Sequence, residues 1–255
     1  MVRGLFRFSD EARGALGLAI PSAAAIRPQW EALRSRAQQR CGRAPRAARF
    51  GCLRSFLFGG WGLEREVDDP DLRHGLVSEV IRTRRGSCLG LSSLVLALAE
   101  SLALPAAGVL VPGHLFVRLA EGAGSVNAEL LRQGEGLPDE WYVHKYQVPA
   151  FVRAYLRPLS LGELLAVLRF NLGNALRLRG EHGQALRLYG DVVREFPQLA
   201  EGQASAGLSY HLLDRPLEAW GAYGRAWLEN PALPGLAENL GALLGETGRL
   251  LPWLR

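Results

Sequence analysis

The chain has 255 residues, 48% hydrophobic and 22% charged, the balance of an ordinary soluble globular protein, and its length suits two domains. Its net charge of +5 rests almost wholly on arginine, Lys145 being the sole lysine, and the arginines are scattered, not gathered into a stripe with interleaved aromatics, which argues against a nucleic-acid surface. Three cysteines, Cys41, Cys52 and Cys88, contain no CxxC pair and cannot all bond to one another, which points to a reducing, cytoplasmic setting.

At the N-terminus Arg3 and Arg7 are followed by Asp10 and Glu11 before the short apolar run 15–20, which Pro21 ends. A signal peptide needs a cleaner apolar stretch. Residues 1–45 read as a helical segment, with 30–39 its clearest part. Residues 46–157 then read as an α+β module. Its longest apolar run, 88–104, is broken by Ser92, Ser93, Glu100 and Ser101, so it predicts a buried core helix and no membrane span.

Gly86-Ser87 supplies a loop and an N-cap for that helix, and Pro105 closes it. Cys88 therefore falls in the first turn, where unpaired amides and the helix dipole favour negative charge, the location a nucleophilic thiolate needs. Strands are predicted over 107–111, 114–119 and 126–131, with Glu121-Gly122-Ala123-Gly124 looping between the last two. Alternation puts His114, Phe116 and Arg118 on one face, and Asn127 and Glu129 on one face of the partner strand. Closing the hairpin over 120–125 sets Leu119 against Val126, Arg118 against Asn127 and Phe116 against Glu129, so His114 and Asn127 share a face. A cysteine at a helix start, a strand histidine and a polar side chain beside it are the parts of acyl transfer: nucleophile, proton carrier and orienting residue. Asn127 is the expected orienting residue and Glu129 the reserve. Each of the three has an ordinary structural reading by itself; the chemical reading rests on their combination.

Just after the third strand, Trp141, Tyr142 and Tyr146 read as core or interface aromatics. From residue 158 to 255 the chain repeats itself: Ala185 and Ala219, Tyr189 and Tyr223, and Pro197 and Pro231 are each 34 apart, and Gly173, Gly207 and Gly241 extend the series. That is the period of the tetratricopeptide helix–turn–helix unit, with Gly180, Asp214 and Gly248 at equivalent turns and a third copy that supplies a capping helix. Cys88, His114 and His144 lack the close spacing of zinc ligands, and Gly59-Gly60 lacks a phosphate-binding frame, so no metal or cofactor is expected.

The stretches Phe56-Leu57-Phe58-Gly59, Trp61-Gly62-Leu63, Arg84 to Ser92 with Cys88 at its centre, Pro112 to Arg118, and Val126-Asn127-Ala128-Glu129 resemble the transglutaminase-like superfamily. They are most similar to SirB-type bacterial proteins, which couple such a domain to tetratricopeptide repeats; the likeness spans about residues 50–255. It implies a papain-like arrangement, a central helix carrying Cys88 and an antiparallel sheet carrying His114 and the third residue. Catalytic relatives commonly have Asp where Asn127 stands, and Arg82 stands where a papain-type oxyanion glutamine would. The Cys88 amide is one expected oxyanion donor, with Trp61 and Ser87 the other residues named for the pocket. Two functions follow: a cysteine-dependent peptidase, amidase or acyltransferase that selects a peptide or protein through its repeats, or a module that binds partners without chemistry. Neither requires nucleic acid or a membrane.

Overall fold

The computed structural model describes residues 1–67, 72–121 and 124–250. They form two compact units, Met1–Val148 with Tyr155–Leu168, and Pro149–Ala154 with Arg169–Arg255. The helices before residue 45, read from the sequence as a segment apart, lie in the first unit, and the division falls within a helix instead of at 157/158.

In the first unit α1 (Val2–Leu16) ends at Gly17 in the left-handed conformation, φ 62°. Helix α2 (Ala23–Cys41) is capped by Ser22, whose hydroxyl accepts the Ala25 N–H at 3.2 Å. Helix α3 (Arg49–Arg54) continues as a π-helical turn over Ser55–Trp61, closed by Gly62 at φ 74°. The packing of α3 beside the end of α2 brings Cys41 and Cys52 into a disulfide, with Cα atoms 5.7 Å apart. One pair and one free thiol, Cys88, is an arrangement compatible with oxidising surroundings, so the cysteine count no longer argues for a reducing setting. Among the described residues no helix is long and apolar enough to cross a membrane.

A short parallel pair, β1 (Glu64–Arg65) and β2 (Arg85–Gly86), brackets α4 (Val77–Thr83) and leads into α5 (Cys88–Ser101). Every residue of α5 from Leu89 to Ala99 is buried, as befits a helix that is apolar on all sides. Its glycine is required by close approach: a Cβ at Gly90 would stand 2.0 Å from the His74 carbonyl oxygen and 2.6 Å from Val80. The same carbonyl accepts the Ser87 N–H at 3.0 Å, so residues 73–75 clamp the start of α5.

Four antiparallel strands follow in the order β3 (Ala106–Val111), β4 (His114–Glu121), β5 (Gly124–Glu129) and β6 (Glu135–Gly136). Pro112-Gly113 turns β3 into β4, with Gly113 at φ 68°. The β4–β5 register pairs Leu119 with Val126 and Arg118 with Asn127 as the hairpin argument requires. Residues 122 and 123 of the expected loop lie outside the described residues, and the strands reach Glu121 and Gly124 on either side of them. Helix α6 (Asp139–Tyr146) packs Tyr142 against Val109, Val111 and Phe116.

Helix α7 (Leu161–Leu178) contains the division between the units. The second unit continues with α8 (His182–Glu195), α9 (Ala200–Leu212), α10 (Pro216–Glu229) and α11 (Leu236–Leu250). The 34-residue offset has a packing cause. Gly173 leaves room for the ring of Tyr189, which a Cβ would meet at 2.6 Å, and Gly207 does the same for Tyr223 at 2.5 Å. Gly241 has nothing within 4 Å of its Cβ position among the described residues. Gly180 and Asp214 occupy left-handed turns at φ 80° and 55°, whereas Gly248, expected at a third turn, lies inside α11.

Candidate functional site

Three elements of the first unit converge on one cluster. Helix α5 supplies Cys88 at its first position, half-buried, where the leading amides have no partner within the helix. One turn further on, the buried Ser92 hydroxyl donates to the Leu115 carbonyl at 3.3 Å, which ties α5 to β4 at the residue after His114. His114 and Glu129 are 5% and 1% exposed, and His114 Nε2 lies 2.7 Å from Glu129 Oε2. The other carboxylate oxygen, Oε1, accepts the Leu131 N–H at 3.0 Å, so both oxygens of this buried group are satisfied. With Nε2 engaged by Glu129, Nδ1 is the ring nitrogen left for Cys88, which acts with Glu129 to favour the charged imidazole.

The electrostatics follow from that geometry. Burial works against a charged imidazole, but hydrogen bonds to Cys88 and Glu129 and the negative charge of both outweigh it, and the His114 pKa is pushed up to about 9. Tyr146 lies flat on the imidazole, ring centroids 4.7 Å apart and planes 6° apart. Burial, then the charges of Glu129 and Cys88, push its phenol up to about 12. Tyr142, fully buried and stacked on Phe116 at 3.8 Å, has its phenol raised further for the same first reason.

The expected orienting residue, Asn127, does not touch the imidazole. Its Oδ1 accepts from Arg118 Nε at 2.7 Å, and its Nδ2 donates to the Leu137 carbonyl at 3.1 Å and to Asp139 Oδ1 at 2.7 Å. Glu129, the reserve, stands in its place. The correction is one of distance along the strand. The β4–β5 register, continued to the end of the hairpin, puts position 131 opposite His114, so Glu129 is the diagonal neighbour and Asn127 lies two residues beyond it. A long side chain spans the diagonal; a short amide about 13 Å down the strand does not reach.

Residues matching positions 24–182, more than half of the chain, fit the family model described as the Transglutaminase-like superfamily. The chain belongs to that superfamily. No curated protein matches it. Solved structures that match include menin, in a crystal structure described as revealing the binding site for Mixed Lineage Leukemia (MLL) protein. The two chains are 14% identical with a TM-score of 0.47, and the match covers 87% of this chain and 64% of the menin chain.

Of the other residues named for the superfamily pocket, Arg82 and Trp61 are engaged elsewhere. Arg82 grips the buried Glu79 carboxylate through Nε and Nη2 at 2.8 and 2.7 Å. Trp61 is buried beneath the Arg84 guanidinium, 5.8 Å from its ring centroid. The Ser87 hydroxyl is buried and has no hydrogen-bond partner among the described residues. The first unit has one cleft of about 560 Å³ reaching from Leu63 to Leu131 and Glu135, and one of about 480 Å³ beside Asn127 and Asp139, and Cys88, His114 and Glu129 line neither. A third cleft, about 950 Å³ between α1 and α2, is likewise lined by none of the three.

Sequence reasoning passed over three contributors. Ser92 sits one helical turn from Cys88 in an apolar helix, a polar residue at a spacing that invites a role. Tyr146 reads from the sequence as a core or interface aromatic. Arg118 lies two rungs from His114 on the same face, and its guanidinium donates to Asn127, to Asp139 at 2.5 Å and to the Leu156 carbonyl at 3.1 Å.

Proposed function

We propose that the chain is a SirB-type, cysteine-dependent acyl-transfer or amide-hydrolysing enzyme, with tetratricopeptide repeats that bind a peptide or protein. The observation that carries the reading is the buried contact of His114 with Glu129 at 2.7 Å, on an imidazole whose charged form Glu129 and the thiol at the start of a helix both favour. Cys88 is the nucleophile, His114 the acid and base, and Glu129 the residue that holds the imidazolium and its tautomer. The Cys88 sulfur bonds to the amide carbonyl carbon, the C–N bond breaks, and the amine leaves with a proton from the imidazolium. Water, or a second amine in acyl transfer, then attacks the thioester, passes its proton to His114, and restores the thiol. Amides at the start of α5 stabilise the oxyanion. The matching 34-residue offsets and the glycine–tyrosine packing of the second unit support the repeat assignment.

A second reading keeps the fold without the chemistry, the repeats being the working surface. It is favoured by Arg82, whose pairing with Glu79 leaves no side chain in the role of the papain-type glutamine.

The test is release of p-nitrophenolate from p-nitrophenyl acetate, an activated acyl donor, by wild type, Cys88→Ser, His114→Ala and Glu129→Gln. The enzyme reading expects a burst of one equivalent per chain, lost in Cys88→Ser, with later turnover lowered at least tenfold in the other two. Absence of a burst that depends on Cys88 sinks it and leaves the binding module.

A further inference from the structure

Beyond the reactive trio, helix α6 is matched to strand β4 rung by rung. Asp139, Tyr142 and Tyr146 are spaced i, i+3, i+7 and so share one face of α6, while Arg118, Phe116 and His114 alternate along one face of β4. Each helix residue meets one strand residue. Asp139 Oδ1 accepts from Arg118 at 2.5 Å and from Asn127 at 2.7 Å. Tyr142 stacks on Phe116 at 3.8 Å, with planes 17° apart. Tyr146 stacks on His114 at 4.7 Å, with planes 6° apart. The spans agree as well: seven helical residues rise about 10 Å and four strand residues about 13 Å.

The first rung is polar and directional, and the other two are flat stacks that can slide. Arg118 and Asn127 together fix Asp139 from two strands, and Arg118 also anchors the Leu156 carbonyl at 3.1 Å. The Tyr146 ring covers a face of the imidazole whose Nε2 is committed to Glu129. With that face closed, the ring cannot tilt away from that partner, and water is kept from competing for its N–H groups.

We infer that Tyr146 is a positioning residue for His114, and that the Arg118–Asn127–Asp139 cluster is the clamp that holds it there through α6. Asn127 thus acts on the imidazole at a distance, through another element. The inference rests on the catalytic reading above for its consequence, but its geometry stands apart from it.

The experiment compares wild type, Tyr146→Phe, Tyr146→Leu, Asp139→Ala and His114→Ala in the full chain. Three quantities are read: Cys88-dependent turnover of p-nitrophenyl acetate, the exchange of the His114 imidazole N–H with water by nitrogen-15 NMR, and urea stability. Tyr146→Leu and Asp139→Ala are expected to lose at least tenfold in turnover and to speed N–H exchange at least tenfold. Tyr146→Phe, which keeps the flat face, is expected to restore most of both. Tyr146→Leu and Asp139→Ala within twofold of wild type, where His114→Ala is inactive, would overturn the inference and leave the enzyme reading standing. A wild type without Cys88-dependent turnover fails the enzyme reading instead. N–H exchange then decides the positioning role: faster in Tyr146→Leu and Asp139→Ala but not in Tyr146→Phe upholds it, and unchanged in all three overturns it.

Discussion

Replacing Glu129 by Gln keeps an acceptor of nearly the same shape beside His114 and removes its charge, so the charge alone is tested. In the folded protein His114 titrates at about 9, against about 6.5 for an unfolded histidine. Between those values the folded state binds a proton that the unfolded chain has released. Unfolding free energy therefore falls as pH rises, the contribution being complete below about 6.5 and gone above about 9. The interval corresponds to roughly 3 kcal/mol of net preference for the charged ring, an upper bound for a group that is not wholly cut off from water. Glu129→Gln should lower the His114 midpoint by at least one pH unit and flatten this part of the stability curve. Urea unfolding from about pH 6 to 10, compared between wild type and variant so that other titrating groups cancel, reads the slope; NMR of the imidazole reads the midpoint directly. Parallel stability curves, or a His114 midpoint near 6.5 in the wild type, would refute the coupling.

Asn127→Ala removes three hydrogen bonds from the clamp and should cost about 1–3 kcal/mol in urea unfolding, while moving the His114 midpoint less than Glu129→Gln does. An equal or larger movement would return the orienting role to Asn127. Gly90→Ala would drive a Cβ to within 2.0 Å of the His74 carbonyl oxygen; a loss of about 3 kcal/mol, or failure to fold, is expected from thermal unfolding. In the second unit the Tyr189 hydroxyl donates to Asn174 Oδ1 at 2.7 Å, whereas the buried Tyr223 hydroxyl has no partner among the described residues, Leu208 standing where Asn174 stands one repeat earlier. Tyr189→Phe should therefore cost about 1 kcal/mol and Tyr223→Phe should be neutral or stabilising; equal costs in denaturation would show that the hydroxyls do not differ.

Much of the site was legible because its elements are governed by local rules. Gly86-Ser87 and Pro105 bracket a helix that begins at Cys88, and period-two alternation with a hairpin register puts His114 and Glu129 on one face. What parity cannot distinguish is position along that face: Asn127 and Glu129 have the same parity, and family analogy drew the choice to Asn127. Distance along the face singles out Glu129: the register sets position 131 opposite His114, and Glu129 is two residues nearer to it than Asn127. Tyr146 was illegible for another reason. Its face of α6 is set by the seven-residue spacing from Asp139, but the partner strand depends on how the chain returns after β6, which no local pattern records. The Cys41–Cys52 bond is likewise a product of α2 and α3 packing, and the spacing of two cysteines eleven residues apart does not announce it.

Ser87 is the residue that tests the proposed assignment of the oxyanion to the amides at the start of α5. Its hydroxyl is buried and without a hydrogen-bond partner among the described residues, and it makes no capping bond to the helix it precedes. A group in that state contributes no bond to stability, so Ser87→Ala should change unfolding free energy by less than about 1 kcal/mol. The hydroxyl is also closed to the surface, so the carbonyl oxygen of a substrate held at Cys88 Sγ does not reach it. The amides that begin α5 carry no such barrier of chemistry: they lack intrahelical acceptors and lie at the positive end of the helix dipole. Ser87→Ala is accordingly expected to hydrolyse p-nitrophenyl acetate at the wild-type rate. A loss of tenfold or more at unchanged stability would show that Ser87 rotates toward the thioester during turnover, and would make its hydroxyl the donor that the backbone reading denies.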